Sequence, residues 1–393
     1  MDKRIYVDHS ATTPLRREVL DAMLPYLTEN FGNASTVYAE GREAKKAINI
    51  AREQVAKAIG AQEKEIFFTG SGTEADNWAI RGAAMANRAK GNHIITTAVE
   101  HHAVLHTCMA LEKEGFEVTY LPVDEFGMVS PESVKNAITD KTILVTIMTA
   151  NNEIGTIMPI EEIGKITKEA GVLFHTDAVQ AIGMMDIDVN KMNVDLLSLT
   201  GHKFYGPKGS GALFVRQGTK ISTFITGGGQ ERNRRAGTEN VAAIVGLGKA
   251  IELATANIAE HTEKLKAMRD RFIDRVLAEI PYTRLNGHRT ERMASNANIS
   301  FEFIEGESLL LMLDMKGISA SSGSACTSGS LDPSHVLLAI GLKHEVAHGS
   351  LRVTFGESNT MEDADRIVDE LKTIVARLRD MSPLYEAVKK NQV

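Results

Sequence analysis

The stretch TILVTIMTANNEIGTIMPIEEIGKITKEAGVLFHTDAV, residues 142–179, decides the fold. Both ends are apolar runs of strand length, and PIEEIGKITKEAG between them has a helical pattern. Two strands separated by a helix predict a pair of parallel strands with a helical crossover. Polar residues directly follow each strand, at the edge where such sheets bind their ligands.

The same alternation extends on both sides of this stretch. Seven apolar runs between residues 65 and 216 are predicted to be strands: EIFFT, HIITTA, FEVTYLPV, TILVTIM, VLFHTDAV, VDLLSLT and GALFVR. They predict an α/β fold whose large domain, residues 15–260, contains a mostly parallel mixed sheet covered by helices.

A second, smaller α/β domain is predicted from residues 1–14 and 261–393. Its predicted strands are NANISFEF and SLRVTFG, and its predicted helices are GESLLLMLDMKG and MEDADRIVDELKTIVARLRD. A continuous helical pattern from Glu239 to about Ile280 is expected to connect the two domains.

The composition argues against several classes of protein. A net charge of −7 over 393 residues disfavours an extended nucleic-acid surface. The start MDKRIYVDHSATTP lacks the apolar stretch of a secretory signal, and no run approaches the roughly 18 apolar residues of a membrane-spanning helix. The two cysteines cannot form a disulfide framework, which fits a reducing cytoplasm. Of the two, Cys108 lies in a helical pattern and is expected to pack as a small apolar residue.

The first loop with chemical content is FFTGSGTEADN, residues 67–77, where a strand, a glycine turn and a helix start follow one another. Ser71 and Glu74 have the spacing of a capping box, and the amides of the first helical turn can hold an anion. Gly70 and Gly72 allow close backbone approach, and Thr73 adds a hydroxyl donor. The motif alone is a weak signal, because such turns also cap ordinary helices.

Other predicted strand ends carry further polar groups. TANNEIGTIMP supplies Asn152, FHTDAVQAIG supplies Asp177 and Gln180, and LSLTGHKFYGPKG supplies His202 and Lys203. Taken alone, Asp177 and Lys203 could form a plain salt bridge. Together with the glycine turn they supply the groups that a pyridoxal phosphate (PLP) site requires. These are a lysine for a Schiff base, an aspartate for the pyridine nitrogen and donors for the phosphate.

A metal site is an alternative role for the histidines. His101 and His102 follow a strand, and His102 and His106 are four residues apart with Glu100 nearby, but a matching second half of the ligand set is missing. The site is predicted to need no metal. A hydrolase with a metal held by His101, His102, His106 and His175 remains a competing hypothesis.

Several longer motifs resemble those of the cysteine desulfurases of the NifS/IscS family. They are EHHAVLH, ANNEIG, HTDAVQAIG, LSLTGHKFYGPKG, GGGQERNRRAGTEN and SSGSACTSGSLDPSHV, and the resemblance covers the chain from YVDHSATTP to LRVTFG. It implies a fold-type I, aspartate-aminotransferase-like PLP enzyme that forms a homodimer. The implied reaction converts L-cysteine to L-alanine and captures the sulfur as a persulfide.

The resemblance also implies a place in iron–sulfur cluster assembly, with a scaffold protein as the sulfur acceptor. The short tail MSPLYEAVKKNQV favours the NifS side of the family, associated with nitrogen fixation, over housekeeping relatives with a longer extension.

The resemblance further assigns a role to each site residue. It implies that Lys203 forms the Schiff base, that Asp177 partners the pyridinium nitrogen and that Gln180 donates to the ring hydroxyl oxygen. His101 would stack on the ring and take part in proton transfer. The other implied contacts are Gly72, Thr73, Thr200 and His202 with the phosphate, Thr238 with the phosphate of the other subunit's cofactor, Asn152 with cofactor and substrate, and Arg352 with the substrate carboxylate.

Cys326 lies in SASSGSACTSGS, residues 319–330, which is too polar for a core strand and too rich in hydroxyls and glycine for a helix interior. The resemblance implies that its thiolate attacks the substrate sulfur and later delivers it to an acceptor. A loop of small residues suits both positions. An incidental surface thiol is the simpler alternative.

Two further functions compete on the sequence alone. A selenocysteine lyase, or another PLP lyase or aminotransferase, would share the cofactor, but transamination does not require Cys326. A sulfur carrier without catalysis would be expected to lack Lys203 or Asp177, and both are present.

Overall fold

A computed structural model of the chain describes residues 4–322 and 333–390. Its strands are β1 (Ile5–Tyr6), β2 (Ile66–Thr69), β3 (His93–Thr97), β4 (Glu117–Leu121), β5 (Thr142–Thr146), β6 (Leu173–Asp177), β7 (Leu196–Thr200), β8 (Gly211–Val215), β9 (Thr283–Asn286), β10 (Asn296–Phe301), β11 (Ile318–Ser319) and β12 (Ser350–Thr354). Its helices are α1 (Arg17–Met23), α2 (Pro25–Thr28), α3 (Ala39–Ala58), α4 (Gly72–Asn87), α5 (His102–Glu112), α6 (Pro131–Ala137), α7 (Ile160–Ala170), α8 (Gln230–Asn233), α9 (Val241–Thr255), α10 (Ile258–Glu279), α11 (Gly306–Met315), α12 (His335–Ala339), α13 (His344–His348), α14 (Met361–Asp380) and α15 (Pro383–Lys390).

Seven strands form the central sheet in the order β2-β8-β7-β6-β5-β3-β4. Neighbouring strands are parallel except at β8, which runs antiparallel to both β2 and β7. All seven predicted strands and the mixed, mostly parallel sheet are confirmed. Because β5, β6 and β7 are parallel neighbours, the polar residues that follow them meet at one edge of the sheet.

A second group of elements packs around its own core. The antiparallel sheet β12-β10-β9 and the parallel pair of β1 with β11 belong to it, together with α10, α11 and α14. This core contains Phe272, Phe301 and Phe355. The central sheet has apolar clusters on both faces, since adjacent residues of β5 such as Leu144 and Val145 belong to different clusters.

The predicted continuous helix from Glu239 to Ile280 is wrong at its middle. Helix α9 ends at Thr255 and α10 begins at Ile258, and the pair is bent by 74°. The break has a packing cause, because α9 buries Leu247 against the central sheet whereas α10 buries Phe272 in the smaller core. Within the described ranges no single helix is long and apolar enough to cross a membrane, and α9 and α10 meet that test only together, as this bent pair.

Candidate active site

Lys203 and Gln180 converge on the N-terminal segment. Lys203 ends a 3₁₀ turn, Gly201–Lys203, directly after β7, and Gln180 follows the end of β6. The Lys203 Nζ donates hydrogen bonds to the carbonyl oxygens of Ser10 and, at 2.9 Å, of Ala11. Gln180 Nε2 donates to the same Ser10 carbonyl at 3.0 Å. Side chains from two neighbouring strand ends therefore meet at one point, as their sequence positions predict.

Asp177 is a buried acid at the end of β6, next to the position where Lys203 and Gln180 converge. It is 7% exposed, and its Oδ1 accepts the N–H of Val179 at 2.8 Å. Burial raises the pKa of the carboxyl, while the Val179 amide and the charge of Lys203 lower it. A carboxylate with so few donors is stabilised by a nearby cation, and a protonated ring nitrogen would supply one.

The glycine turn before α4 forms a cradle beside Asp177. A Cβ on Gly72 would lie 2.8 Å from Val179 Cγ2 and 3.5 Å from the Thr200 side chain, so only glycine fits. Gly72 and Thr73 are the first two residues of α4, and their amides have no partner within the helix. The cradle therefore offers backbone donors to an anion, and its chemistry fits the phosphate of the cofactor.

The predicted capping box is only half formed. Ser71 Oγ accepts the N–H of Glu74 at 3.0 Å, as expected. The Glu74 carboxylate instead accepts the N–H of Gly70 at 2.8 Å and the guanidinium of Arg235, also at 2.8 Å. A full charge on Arg235 attracts the carboxylate more strongly than a single amide at the helix start.

Thr200 and His202 flank this cradle. The Thr200 hydroxyl donates to the Ser210 carbonyl at 2.8 Å, and its lone pairs remain able to accept. His202 Nδ1 lies 3.1 Å from Thr12 Oγ1. Burial, with help from the charge of Lys203, lowers the pKa of His202 to about 4, so the ring is neutral near pH 7.

His101 is held by the start of α5. Its Nδ1 accepts the N–H of Ala103 at 3.1 Å. The neutral ring therefore carries its proton on Nε2, where it can act as a donor. Burial and the charge of Lys203 lower the pKa of His101 to about 4. At neutral pH the residue is an uncharged ring, suited to stacking on a flat cofactor.

Three further histidines form a cluster next to His101, centred on His102. The His102 ring centroid is 4.9 Å from that of His106, 4.8 Å from that of His335 and 6.3 Å from that of His101. His335 could not be predicted as part of this cluster, because it lies over 200 residues from the other members. Among residues 4–322 and 333–390 no group of three or more His, Cys, Asp or Glu side chains could hold a metal ion. The hydrolase hypothesis therefore gains no support from the described part of the chain.

Arg352 is a buried cation on β12. It is 3% exposed and donates to the Asn152 carbonyl at 3.0 Å and to Asp8 Oδ1 at 2.8 Å. Its Nε is buried and has no hydrogen-bond partner among the described residues. The contact joins two residues that were predicted to bind the substrate carboxylate, and that role stays a prediction. Asp8 was not predicted, and its only signal was an aspartate next to the strand-like start IYV.

Thr238 lies apart from this cluster. It is exposed and lines a cavity of about 220 Å³ with Gly70, Ser210 and Arg235. The preceding turn contains three consecutive residues in the left-handed region, at residues 231–233. The buried pair between Glu231 and Arg52 secures this turn to α3. The described chain does not bring Thr238 to Lys203, so a role towards another subunit stays a prediction.

Of the two cysteines, only Cys108 is among the described residues, and Cys326 lies outside them. Cys108 is buried in an apolar cluster, as predicted. Burial raises the pKa of its thiol to about 12, so it is protonated at neutral pH. It is not a nucleophile under these conditions.

An acid at the end of β6, a lysine after β7 and a glycine cradle beside them define a PLP enzyme of fold type I. The profile of the family described as aminotransferase class-V matches residues 5–367. The chain belongs to this PLP-dependent family and, within it, to the cysteine desulfurases of the NifS/IscS type.

Relatives with high identity carry the name cysteine desulfurase IscS. One from Methanosarcina thermophila is 63% identical over 98% of this chain and 95% of its own length. One from Clostridium botulinum is 61% identical over 100% of this chain and 99% of its own. Among solved structures, one titled NifS-like protein has a TM-score of 0.90 at 36% identity and covers 95% of this chain and 100% of its own. Another, titled SspA in complex with cysteine, has a TM-score of 0.80 at 38% identity and covers 89% and 98%.

Proposed function

We propose that this cysteine desulfurase acts through Lys203, Asp177 and Arg352, and that Cys326 carries the sulfur away as a persulfide. The observation that supports this most is the convergence of Lys203 and Gln180 on one carbonyl, next to the buried Asp177. The buried guanidinium of Arg352 faces the same segment through its ion pair with Asp8.

The residue types around Lys203 fit the groups of PLP. Asp177 would bind the ring nitrogen, Gln180 the ring hydroxyl oxygen and His101 the ring face. The phosphate ligands would be Gly72, Thr73, Thr200 and His202, with Asn152 between cofactor and substrate. When bound, PLP accepts electron density from the substrate's α-carbon and so makes the α-proton acidic.

The substrate would be oriented by its carboxylate. The guanidinium of Arg352 already has two of its nitrogens directed by Asp8 and Asn152, and its unpartnered Nε offers a further donor. A planar cation held in this way suits a carboxylate. Lys203 Nζ would move the α-proton, since its amine is directed into the site by the Ser10 and Ala11 carbonyls.

The sulfur step would use the thiolate of Cys326. That thiolate attacks the sulfur of the bound substrate, an S–S bond forms and the substrate's C–S bond breaks. The electron pair of the C–S bond stays on the substrate's carbon skeleton, which takes up a proton to become alanine. Cysteine and one enzyme thiol thus give alanine and one enzyme persulfide, with no external oxidant.

We also propose a homodimer. The segment between α1 and the start of α3 exposes several large apolar side chains, among them Phe31 at 75% and Val37 at 87% exposure. Exposed apolar side chains concentrated in one segment favour burial by a second copy. Thr238 is exposed as well, which suits a contact with the cofactor of that copy. Light scattering should give a dimer for the wild type and a monomer for Phe31→Asp/Val37→Asp, while Met315→Asp, a change at an exposed apolar residue of α11, should stay dimeric.

The domain division, a large domain at residues 15–260 and a smaller one at 1–14 and 261–393, remains part of the proposal. It is supported by the separate apolar core around Phe272, which also includes Ile5 and Val7. Limited proteolysis should cut first between α9 and α10, where two helices bend apart.

The sulfur acceptor is proposed to be an iron–sulfur scaffold protein in the cytoplasm. The names of the relatives support the supply of sulfur for clusters, and the two cysteines fit a reducing compartment. A dedicated role in nitrogen fixation stays a prediction. Deletion of the gene, followed by assays of nitrogenase and of aconitase-type cluster enzymes, would distinguish a dedicated route from a general one.

The decisive experiment is incubation of the holoenzyme with L-cysteine, with alanine measured by chromatography and added sulfur located by mass spectrometry. Sulfur should appear on the peptide that contains Cys326. Cys326→Ala should keep the yellow bound cofactor and lose persulfide, and Cys108→Ser serves as the matched control. Undiminished turnover in Cys326→Ala, or added sulfur on Cys108, would overturn the assignment.

A further inference from the structure

A second carboxyl lies buried behind Asp177. Asp76, on the second turn of α4, is 1% exposed, and its Oδ1 has no hydrogen-bond partner among the described residues. The nearest ring nitrogen is His175 Nε2, at 3.7 Å. Ser198 also neighbours the Asp76 carboxyl, whose pKa it lowers, and its Oγ lies 3.0 Å from His175 Nε2.

Among the described residues, the elements packed against Asp76 place no compensating cation beside it. Helix α4 packs against β2, β5, β6, β7 and β8 and against α5. Of the ionisable groups on these elements, His175 and Asp177 on β6 and Glu100 before α5 face the carboxyl. Strands β2, β5, β7 and β8 have no ionisable side chain. Two of the three groups that face Asp76 are themselves acids.

His175 does not act as the missing cation. Its Nδ1 lies 2.8 Å from Thr146 Oγ1 and its Nε2 lies 3.0 Å from Ser198 Oγ, so both nitrogens already have hydroxyl partners. The ring is completely buried, and burial lowers the pKa of His175 to about 3. A neutral imidazole can accept a hydrogen bond from an acid but cannot balance a carboxylate.

We infer that Asp76 is a permanently protonated, neutral carboxyl that positions His175 and keeps the ionised carboxylate of the site on Asp177. Asp177 has the Val179 amide and Lys203 to stabilise its charge, and the bound cofactor's ring nitrogen would add to these. The Oδ1 of Asp76 has no hydrogen-bond partner among the described residues and lies in the same buried, low-dielectric interior. Two neighbouring ionised carboxylates are strongly disfavoured there. Burial, and after it the charge of Asp177, raise the pKa of Asp76 well above its ordinary value.

This assignment makes Asp76 a positioning residue rather than a catalytic one. It rests on the proposed cofactor site, because a neutral Asp76 matters only if Asp177 must remain ionised to bind the ring nitrogen of the cofactor. It differs from a plain structural role in one measurable respect: an amide can replace a protonated acid with little change, whereas it cannot replace a carboxylate.

The first test is infrared spectroscopy of the holoenzyme, in the carbonyl-stretch region of protonated carboxylic acids. Wild type should show such bands at pH 7 from Asp76 and from Glu100, whose pKa burial raises to about 8. Asp76→Asn should lose one band and Glu100→Gln, the matched control, should lose the other. At pH 9.5 the Glu100 band should be lost and the Asp76 band should persist. If Asp76→Asn removes no band, the inference is wrong.

The second test is cofactor affinity, measured by the visible absorbance of bound PLP. Asp76→Asn should bind PLP within about threefold of wild type, since the net worth of one altered hydrogen bond is small. Asp76→Ala should weaken binding about tenfold, because it leaves a cavity beside Ser198 and His175. A loss in Asp76→Asn as large as that in Asp76→Ala would show that the residue acts as a carboxylate. Absence of bound PLP in wild type would instead overturn the proposed function, while the infrared bands would still report on Asp76.

Discussion

The carboxyls beneath the sheet edge and the carboxyls on the outer face of α10 and α14 differ in what surrounds them. Asp76, Glu100 and Asp177 are buried, and Lys203 is the cation that lowers the pKa of Asp177. On the outer face, Arg275 donates to Glu279 at 2.7 Å, to Asp365 at 2.9 Å and to Asp369 at 2.7 Å. Arg271 and Lys372 extend this exposed network.

The two groups respond to pH with opposite sign. Burial raises the pKa of Glu100 to about 8, whereas hydrogen bonds from Arg275 and Lys372 lower the pKa of Glu279 to about 2. At neutral pH Asp76 and Glu100 hold their protons, and the raised pKa of Glu100 makes the fold less stable as pH rises, while the exposed acids are ionised and screened by water and salt. The negative charge of the buried group is therefore kept at the cofactor site, while the neighbouring buried carboxyls stay neutral.

The largest expected effect comes from removing the cation of the buried group. Lys203→Ala should reduce desulfurase turnover by about 10³-fold or more, the scale of a lost proton-transfer group. Lys208→Ala, an exposed lysine five residues further on, should leave turnover unchanged. Alanine production from L-cysteine measures both, and substantial activity in Lys203→Ala would mean that another amine moves the α-proton.

The next largest effect is expected at the buried guanidinium. Arg352→Lys keeps the charge but loses the planar fork, and kcat/KM for L-cysteine should fall about 100-fold, mostly through KM. Arg271→Lys, in the exposed network, should leave both constants unchanged. A kcat/KM near wild type in Arg352→Lys would show that the substrate carboxylate binds elsewhere.

The pH dependence of stability tests the contrast directly. The folded-state pKa of Glu100 lies above its unfolded value, so its stabilising contribution is complete below about pH 4.5 and is lost as pH rises through about 8. Glu100→Gln removes that loss. The unfolding free energy of the variant relative to that of wild type should therefore rise between pH 5 and pH 9. The rise should be a few kcal/mol at most, since one pKa unit corresponds to about 1.4 kcal/mol. Denaturant titration of the apoprotein at the two pH values measures it.

Glu279→Gln provides the control of opposite sign. The folded-state pKa of Glu279 is lowered, so its contribution is present above about pH 4.5 and is lost as pH falls towards 2. The variant should therefore be less stable than wild type at pH 7 and equal to it near pH 2. Parallel pH profiles for Glu100→Gln and Glu279→Gln would contradict the comparison.

The smallest effect is expected from Asp365→Asn on the outer face. Exposed pairs contribute little, so the melting temperature should fall by about 2 °C or less, and the difference should vanish in 1 M salt. Calorimetry at low and high salt measures both. A large, salt-independent fall would place this carboxylate among the buried group rather than the exposed one.

The central sheet could be read from the sequence because its strands are nearly continuous apolar runs, and such runs have few alternatives to a buried strand. Lys203, Asp177 and Gln180 followed, since parallel strand ends share one edge. Asp8, Ser10 and His335 could not be found in this way, because the contacts that bring them to the site join residues up to 344 positions apart. Asp76 was missed for a different reason: in sequence it looks like an ordinary acid near a helix start.

The N-terminal segment has a consequence for how the enzyme is made. Ile5 pairs with Ile318, Asp8 binds Arg352 and Ser10 holds Lys203. During synthesis the first ten residues emerge from the ribosome long before residues 318 and 352. This segment can therefore form its native contacts only after nearly the whole chain has been made. A nascent chain that encountered PLP early would contain Lys203 but not the complete binding site. We therefore expect full binding of the cofactor only at the last stage of synthesis.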